Sequence, residues 1–298
     1  WRVKPISAFE ADMKKSTLKR VLGKWSLTAI GVGAIIGGGI FVLTGTGAYY
    51  HAGPALAISF IIAGIACVFA ALCYSEFASI LPVEGSAYAY AYGTIGEIFA
   101  WIIGWGLILE YAMGSMTVAV SWSGYFNKLL LKFGISLPDW LTTDPASYTG
   151  EGFSMNLPAF LIVLLVISIL IKGTQNAAKA NNMIVILKVS AVLFVIIAGA
   201  FFINLDNWSP FIPEATQIVE KETTHNAYGL TGIVSGAAAI FFAYVGFDAV
   251  STQAGEAINP KKDVPFAIIA SLLICTTLYI LVSLVLTGMM NYQDFNPL

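Results

Sequence analysis

Gly31-Val32-Gly33-Ala34-Ile35-Ile36-Gly37-Gly38-Gly39-Ile40-Phe41 lies in the middle of an apolar run and reads as a membrane helix that is interrupted. Three consecutive glycines near its centre each weaken a helix by about 1 kcal/mol relative to alanine. Lipid cannot satisfy the N–H and C=O groups that such a break releases, so non-helical backbone at that depth must face protein or a water-filled cavity. The stretch therefore marks a site as well as a span. Two other readings compete with this one. Gly33 and Gly37 form a GxxxG pair, which lets helix backbones approach closely. The glycines also resemble a dinucleotide-binding loop, but that motif has to follow a strand in a soluble βαβ unit, and here it sits inside an apolar run.

The rest of the chain has lipid for its solvent. Of its 298 residues 58% are hydrophobic and only 11% charged, with a mean hydropathy of +0.80. A net charge of -2 leaves no basic face for nucleic acid. Cys67, Cys73 and Cys275 all lie in apolar runs and read as small buried side chains, not as a disulfide framework or a zinc site. His51 and His225 fall in polar connections and receive no role.

A hydrocarbon core about 30 Å thick needs roughly 20 apolar helical residues, and seven such windows occur: 26–50, 55–81, 97–131, 157–171, 183–203, 229–253 and 265–290. Ala52-Gly53-Pro54, the segment 82–85 and the segment 138–152 supply turn chemistry between them. Seven basic residues precede the first span (Arg2, Lys4, Lys14, Lys15, Lys19, Arg20, Lys24), and Lys172, Lys179, Lys261 and Lys262 fall in loops on the same side. Lys128, Lys132 and Lys221 lie opposite. Eleven against three puts the amino terminus in the cytoplasm. Residues 1–25 are then a cytoplasmic amphipathic lead-in, and the end of the chain in the polar stretch 291–298 is expected to fall short of further helices.

Span six carries a matching feature. Phe241-Phe242-Ala243-Tyr244-Val245-Gly246-Phe247-Asp248 brings a glycine, aromatics and a carboxylate together midway along an apolar run. Spans one and six run in opposite directions, as an inverted repeat produces, with a ligand bound where the half-helices meet. Half-helix N-termini favour a carboxylate and freed carbonyls favour an ammonium group. An α-amino acid offers both. Phe242 is placed to close over it.

The stretch from Gly33 to Phe41, the run from Phe241 to Thr252, and the segment from Ala71 to Phe77 followed by Gly85-Ser86-Ala87-Tyr88 resemble the amino acid-polyamine-organocation superfamily. The branch they resemble is that of bacterial permeases similar to cationic amino acid transporters. The resemblance implies an all-α membrane protein with the leucine-transporter-like five-plus-five inverted repeat, truncated after about seven transmembrane helices. Residues 26–203 are then the first repeat, 204–228 an extracellular connection, and 229–298 the start of the second repeat. Carried over residue by residue, the substrate site comprises Ile35, Gly38 and Gly39 on the first broken helix and Phe242, Ala243 and Val245 on the sixth. Gly38 stands where many relatives have Ser or Thr, and Gly106 and Gly255 stand where close relatives have acids. The substrate is left open between small neutral and cationic amino acids.

Lys188 sits about five residues into span five, roughly 8 Å from its end at 1.5 Å per residue. Snorkelling to the interface is one reading. The resemblance implies the other, a lysine occupying the place of a sodium ion in sodium-independent members, so that protons are the coupling ion, sodium is not expected and no cofactor is needed. A lysine held out of water there is able to lose and regain a proton near neutral pH. Glu110, near the middle of span three, and Asp248, after the span-six break, are accessory candidates; Asp248 is placed either to cap the inner half-helix or to join a gate.

The expected function is secondary active transport of amino acids across the cytoplasmic membrane, by proton symport with alternating access. The alternatives are an exchanger, a channel or a seven-helix receptor. The expected partners are the amino acid, the lipid bilayer and, as an open option, a small single-helix membrane subunit. An enzyme is not expected, because no Ser-His-Asp set, metal cluster or nucleotide loop is present in the sequence.

Overall fold

A computed structural model describes residues 2–15, 20–145, 147–150, 152–171, 174–220 and 223–295. Lys19, Lys172 and Lys221, used above for orientation, lie outside the described residues, as do the side chains of Lys14, Lys15, Lys179 and His225.

The chain is mostly helical. After α1 (Ile6–Lys15), α2 (Lys24–Ile35) leads into the glycine stretch. A π-helical turn (Gly39–Leu43), α3 (Thr44–Gly47) and a second π-helical turn (Ala48–Ala52) follow. Gly53 then turns the chain at φ +58 into α4 (Leu56–Ile80). Next come α5 (Ser86–Thr94), α6 (Glu97–Lys132), α7 (Leu157–Ile171) and α8 (Thr174–Ala200). An antiparallel hairpin of β1 (Thr216–Glu220) and β2 (Thr223–Ala227), paired with Ile218 opposite His225, precedes α9 (Gly229–Ile240), α10 (Ala249–Thr252) and α11 (Pro260–Met289). The sequence reading anticipated neither the hairpin nor α5.

Among the described residues five stretches are long and apolar enough to cross a membrane: Gly39–Ile80, Glu97–Lys132, Asn181–Ala200, Gly229–Thr252 and Pro260–Met289. The count is lower than seven for two reasons. The first span is cut by its glycines, so α2 is only 12 residues long, and α7 is only 15. The chain is a multi-pass membrane protein.

The helix ends follow from local chemistry. Pro265 sits inside α11 and not at its start, because Pro260 occupies the first turn, where a missing N–H costs nothing. Pro265 cannot donate to the carbonyl four residues back. α8 starts nine residues before the apolar window at 183, since Thr174, Gln175 and Asn176 continue the helix beyond the hydrophobic part.

Two compact units form, residues 1–104 with 182–298 and residues 105–181. In the first, α11 packs along α4 and α2, and α9 packs on α4. Small residues make these approaches possible, as lipid-embedded helices require. A Cβ on Gly64 would lie 2.9 Å from Thr276 Cγ2, and one on Gly31 2.6 Å from Ser271 Oγ. Polar side chains tie helix to helix: Ser59 Oγ donates to Ile233 O at 2.8 Å and the Tyr244 hydroxyl to Phe60 O at 2.9 Å. The core closes around Leu27, Ile36, Ile40, Phe60, Tyr244 and Tyr279.

In the second unit, Asn156 Oδ1 accepts from Ser123 Oγ at 2.6 Å and from Ala159 N at 3.1 Å, joining α6 to the first turn of α7. The apolar surface of both helices stays exposed, as at Ile108, Leu109 and Leu164.

Cys67 and Cys275 are buried, as the sequence implied, but Cys73 is exposed. It shares an outward face of α4 with Ile62, Ile65, Phe69 and Leu72, all exposed, so an apolar run in a membrane helix does not by itself mean burial. His51 also departs from the reading: it lies in the π-helical turn Ala48–Ala52, with Nδ1 3.1 Å from Ser235 Oγ.

Candidate functional site

Both expected interruptions are present. α2 ends at Ile35; Ile36 is extended (φ -72, ψ 90) and helical backbone resumes at Gly38. α9 ends at Ile240, a single 3-10 turn (Phe241–Tyr244) follows, and Val245 is extended (φ -56, ψ 134). Gly246 then takes φ +113, a conformation that glycine alone adopts without strain.

The two breaks press directly on each other. A Cβ on Gly39 would lie 2.6 Å from Ala243 Cβ and 2.7 Å from its Cα. A Cβ on Gly246 would lie 2.8 Å from Ala34 O. Each segment's glycine receives the other segment's backbone, so the glycines serve mutual approach as well as the break itself.

A broken helix leaves its last carbonyls without intrahelical donors, and each must be met or left at a cost. At the end of α2 most are met by side chains. Lys188 Nζ, from α8, donates to Gly33 O at 2.6 Å and to Ile36 O at 2.7 Å. The Tyr279 hydroxyl, from the middle of α11, lies 2.9 Å from Ile35 O and 2.8 Å from Ala243 O. Val32 O is met within the helix by Ile36 N at 2.9 Å. Lys188 is thus half-buried against the first break and does not snorkel to the interface. A phenol carries one proton, so Tyr279 satisfies the Ile35 or the Ala243 carbonyl fully but not both at once.

Of the residues expected to hold a ligand, Ile35, Gly39 and Ala243 are buried where the breaks meet, while Gly38 and Val245 are half-buried. Phe242 remains exposed on the 3-10 turn. Asp248 is buried, and its Oδ2 accepts from Ser86 Oγ at 3.4 Å, tying the segment after the break to α5. It does not cap α10: no side-chain capping bond forms there, and Ser251 bonds the Asp248 backbone oxygen instead. Glu110 belongs to the second unit, where it is exposed. At Gly255 the Glu84 carboxylate takes the room a side chain would need.

Sequence reasoning missed Tyr279. The available signal was a tyrosine buried mid-span, twenty residues into a 30-residue helix, when membrane tyrosines favour the interface belt. Its hydroxyl can be tested alone. Tyr279→Phe keeps the ring packing against Phe60 and Tyr244 (centroids 5.4 and 5.3 Å) and removes the one donor that the Ile35 and Ala243 carbonyls share. Uptake by the whole protein is expected to fall about tenfold, with a stability loss of about 1–3 kcal/mol in thermal melting. Unchanged uptake would remove Tyr279 from the site.

Two reciprocally packed, interrupted helices inside a multi-pass helical bundle, with a lysine on the freed carbonyls, define a membrane permease in class. Residues 22–296 match the amino acid permease family, and the chain belongs to it. It is 47% identical over 296 residues to the methylthioribose transporter of Bacillus subtilis, covering 99% of this chain and 61% of that protein. It is 48% identical over 285 residues to that organism's branched-chain amino acid permease BcaP, covering 96% and 58% respectively. To cationic amino acid transporter 4 of Mus musculus it is 37% identical over 299 residues, covering 99% and 44%. The chain spans about six tenths or less of the length of these curated relatives. The family is one of transporters and not of enzymes.

Proposed function

We propose that the chain carries the substrate-binding part of a secondary active amino acid transporter of the cell membrane, with its amino terminus in the cytoplasm and with protons as the coupling ion. The substrate lies against the paired breaks: Gly38 and Gly39 present N–H groups to its carboxylate, and the Ala243 carbonyl, with the Tyr279 hydroxyl beside it, faces its ammonium group. Ile35, Val245 and Phe242 supply apolar walls, Phe242 from the exposed side. Asp248, held by Ser86, acts in the inner gate.

The observation that supports this reading best is the mutual approach of the two interrupted segments. It has no purpose in plain helix packing, where an unbroken pair of helices would satisfy every backbone group internally. Lys188 supports the choice of coupling ion. Its ammonium group stands on two carbonyls that would otherwise suit a hard cation, so sodium is not needed there. The fold follows the five-plus-five inverted repeat, with residues 26–203 as the first repeat, and a small single-helix subunit remains an open partner.

The relatives' names divide over substrate, pointing to methylthioribose, to branched-chain and to cationic amino acids. Proteoliposomes holding the whole protein test the proposal with labelled alanine, leucine, arginine and methylthioribose, with and without an inward proton gradient. Saturable amino acid uptake driven several-fold by the gradient is expected. Uptake driven only by preloaded internal substrate would make the protein an exchanger, and non-saturable flux would make it a channel.

A further inference from the structure

We propose that a cavity of about 470 Å3, lined by Arg20, Pro82, Ile258, Lys261 and Lys262 among others, holds the phosphate headgroup of an anionic glycerophospholipid on the amino-terminal side of the membrane. Backbone pairing brings these distant residues together. Val21 N and Leu22 N donate to Glu256 O at 2.9 and 3.0 Å, and Ile258 N donates to Leu22 O at 2.9 Å. That short parallel pairing fixes Arg20 beside the start of α11. The cavity lies in the size range of small-molecule sites.

Three cations face it, and among the described residues none has a hydrogen-bonded or ion-paired side-chain partner. Of the acids nearby, Asp263 Oδ2 accepts from Asn259 N at 3.2 Å, and the Glu84 carboxylate lies against Gly255. Glu256 anchors the pairing only through its backbone oxygen. Lys261 and Lys262 also occupy the first turn of a 30-residue helix, the end where the helix dipole disfavours positive charge. Helix stability does not account for them there. An anion does.

The surroundings point to a lipid and not to a soluble phosphate. Trp25 is 65% exposed and meets Phe266 edge-on at 5.4 Å, with Lys24 Nζ 5.7 and 5.3 Å from the two ring centres. An exposed tryptophan beside a lysine is the chemistry of the membrane–water boundary. It lies five residues after Arg20, and Phe266 lies four after Lys262. Ile258, also exposed, gives the cavity an apolar edge that glycerol and acyl carbons can cover, and exposed Val21 follows Arg20 in the chain. The inference rests on the membrane-spanning reading and is independent of what the protein transports.

Native mass spectrometry of the whole protein in detergent, titrated with phosphatidylglycerol and with phosphatidylcholine, tests it. Each cation near an anionic lipid contributes about fivefold in affinity. Wild type is expected to prefer phosphatidylglycerol, and the triple variant Arg20→Gln, Lys261→Gln, Lys262→Gln to lose that preference about tenfold or more. If the triple variant does not fold, the single variant Lys262→Gln is expected to show a loss of about fivefold. Equal retention by wild type and variant, or no headgroup preference in wild type, overturns the site. Protection against melting by millimolar inorganic phosphate that equals protection by phosphatidylglycerol overturns the lipid assignment in favour of a soluble anion.

Discussion

Lys188→Ala and Lys188→Arg, made in the whole protein, are both expected to retain a folded transporter whose uptake no longer responds to a proton gradient. The two variants fix opposite charge states. Alanine removes the ammonium group, and arginine keeps a charge that cannot be given up. In the wild type Nζ donates to Gly33 O and Ile36 O, so a proton gained or lost there changes the donor strength facing two carbonyls freed by the first break. Under the proposed proton coupling, this is the step that would link a proton to the shape of the site. Alanine leaves both carbonyls short of a donor, each costing about 1–3 kcal/mol if water does not reach it. The space vacated by the lysine side chain admits water, so a modest fall in melting temperature is expected and not loss of the fold. Gradient-driven accumulation in proteoliposomes should fall about tenfold or more in both variants, a change of about 1.4 kcal/mol. Undiminished stimulation by the gradient in either would refute the role given to Lys188.

The parts of this architecture that are local were legible in the residues. A triple glycine and Gly246 announce helix breaks because glycine's backbone freedom acts wherever it stands, and the structure breaks both helices there. The bounds 55–81 and 157–171 agree with α4 and α7 to within one residue, and 229–253 agrees with the interrupted membrane-capable stretch Gly229–Thr252, because apolar length sets them. What depends on tertiary approach was not legible. Nothing in the order of residues says that Tyr279 stands beside the carbonyls of Ile35 and Ala243, which are 244 and 36 positions away. Lys188 could equally have turned toward the interface; its direction is decided by the carbonyls that the first break exposes. Asp248 occupies the position before α10 where sequence habit expects a cap, yet Ser86 of α5 takes its carboxylate instead.

Gly39→Ala and Gly246→Ala distinguish the paired-break site from ordinary helix packing by the sign of their effect. If Gly39 were a plain helical residue, alanine would stabilise the helix by up to about 1 kcal/mol. Here the added methyl carbon would lie 2.6 Å from Ala243 Cβ and 2.7 Å from Ala243 Cα, and a backbone atom of the opposite break cannot move aside cheaply. At Gly246 the methyl carbon would meet Ala34 O at 2.8 Å, and φ +113 adds strain of about 1–3 kcal/mol for any residue with a side chain. Both variants are expected to lose uptake almost wholly and to melt earlier, Gly246→Ala by the larger amount because it suffers both penalties. Gly114→Ala supplies the control: it lies in α6 with nothing within 4 Å of its added carbon, so it should melt no earlier than wild type and transport normally. Since close packing alone tolerates reduced activity but not a site destroyed by one methyl group, near-normal uptake by Gly39→Ala at raised stability would show a continuous helix at that position and no room for a ligand between the breaks.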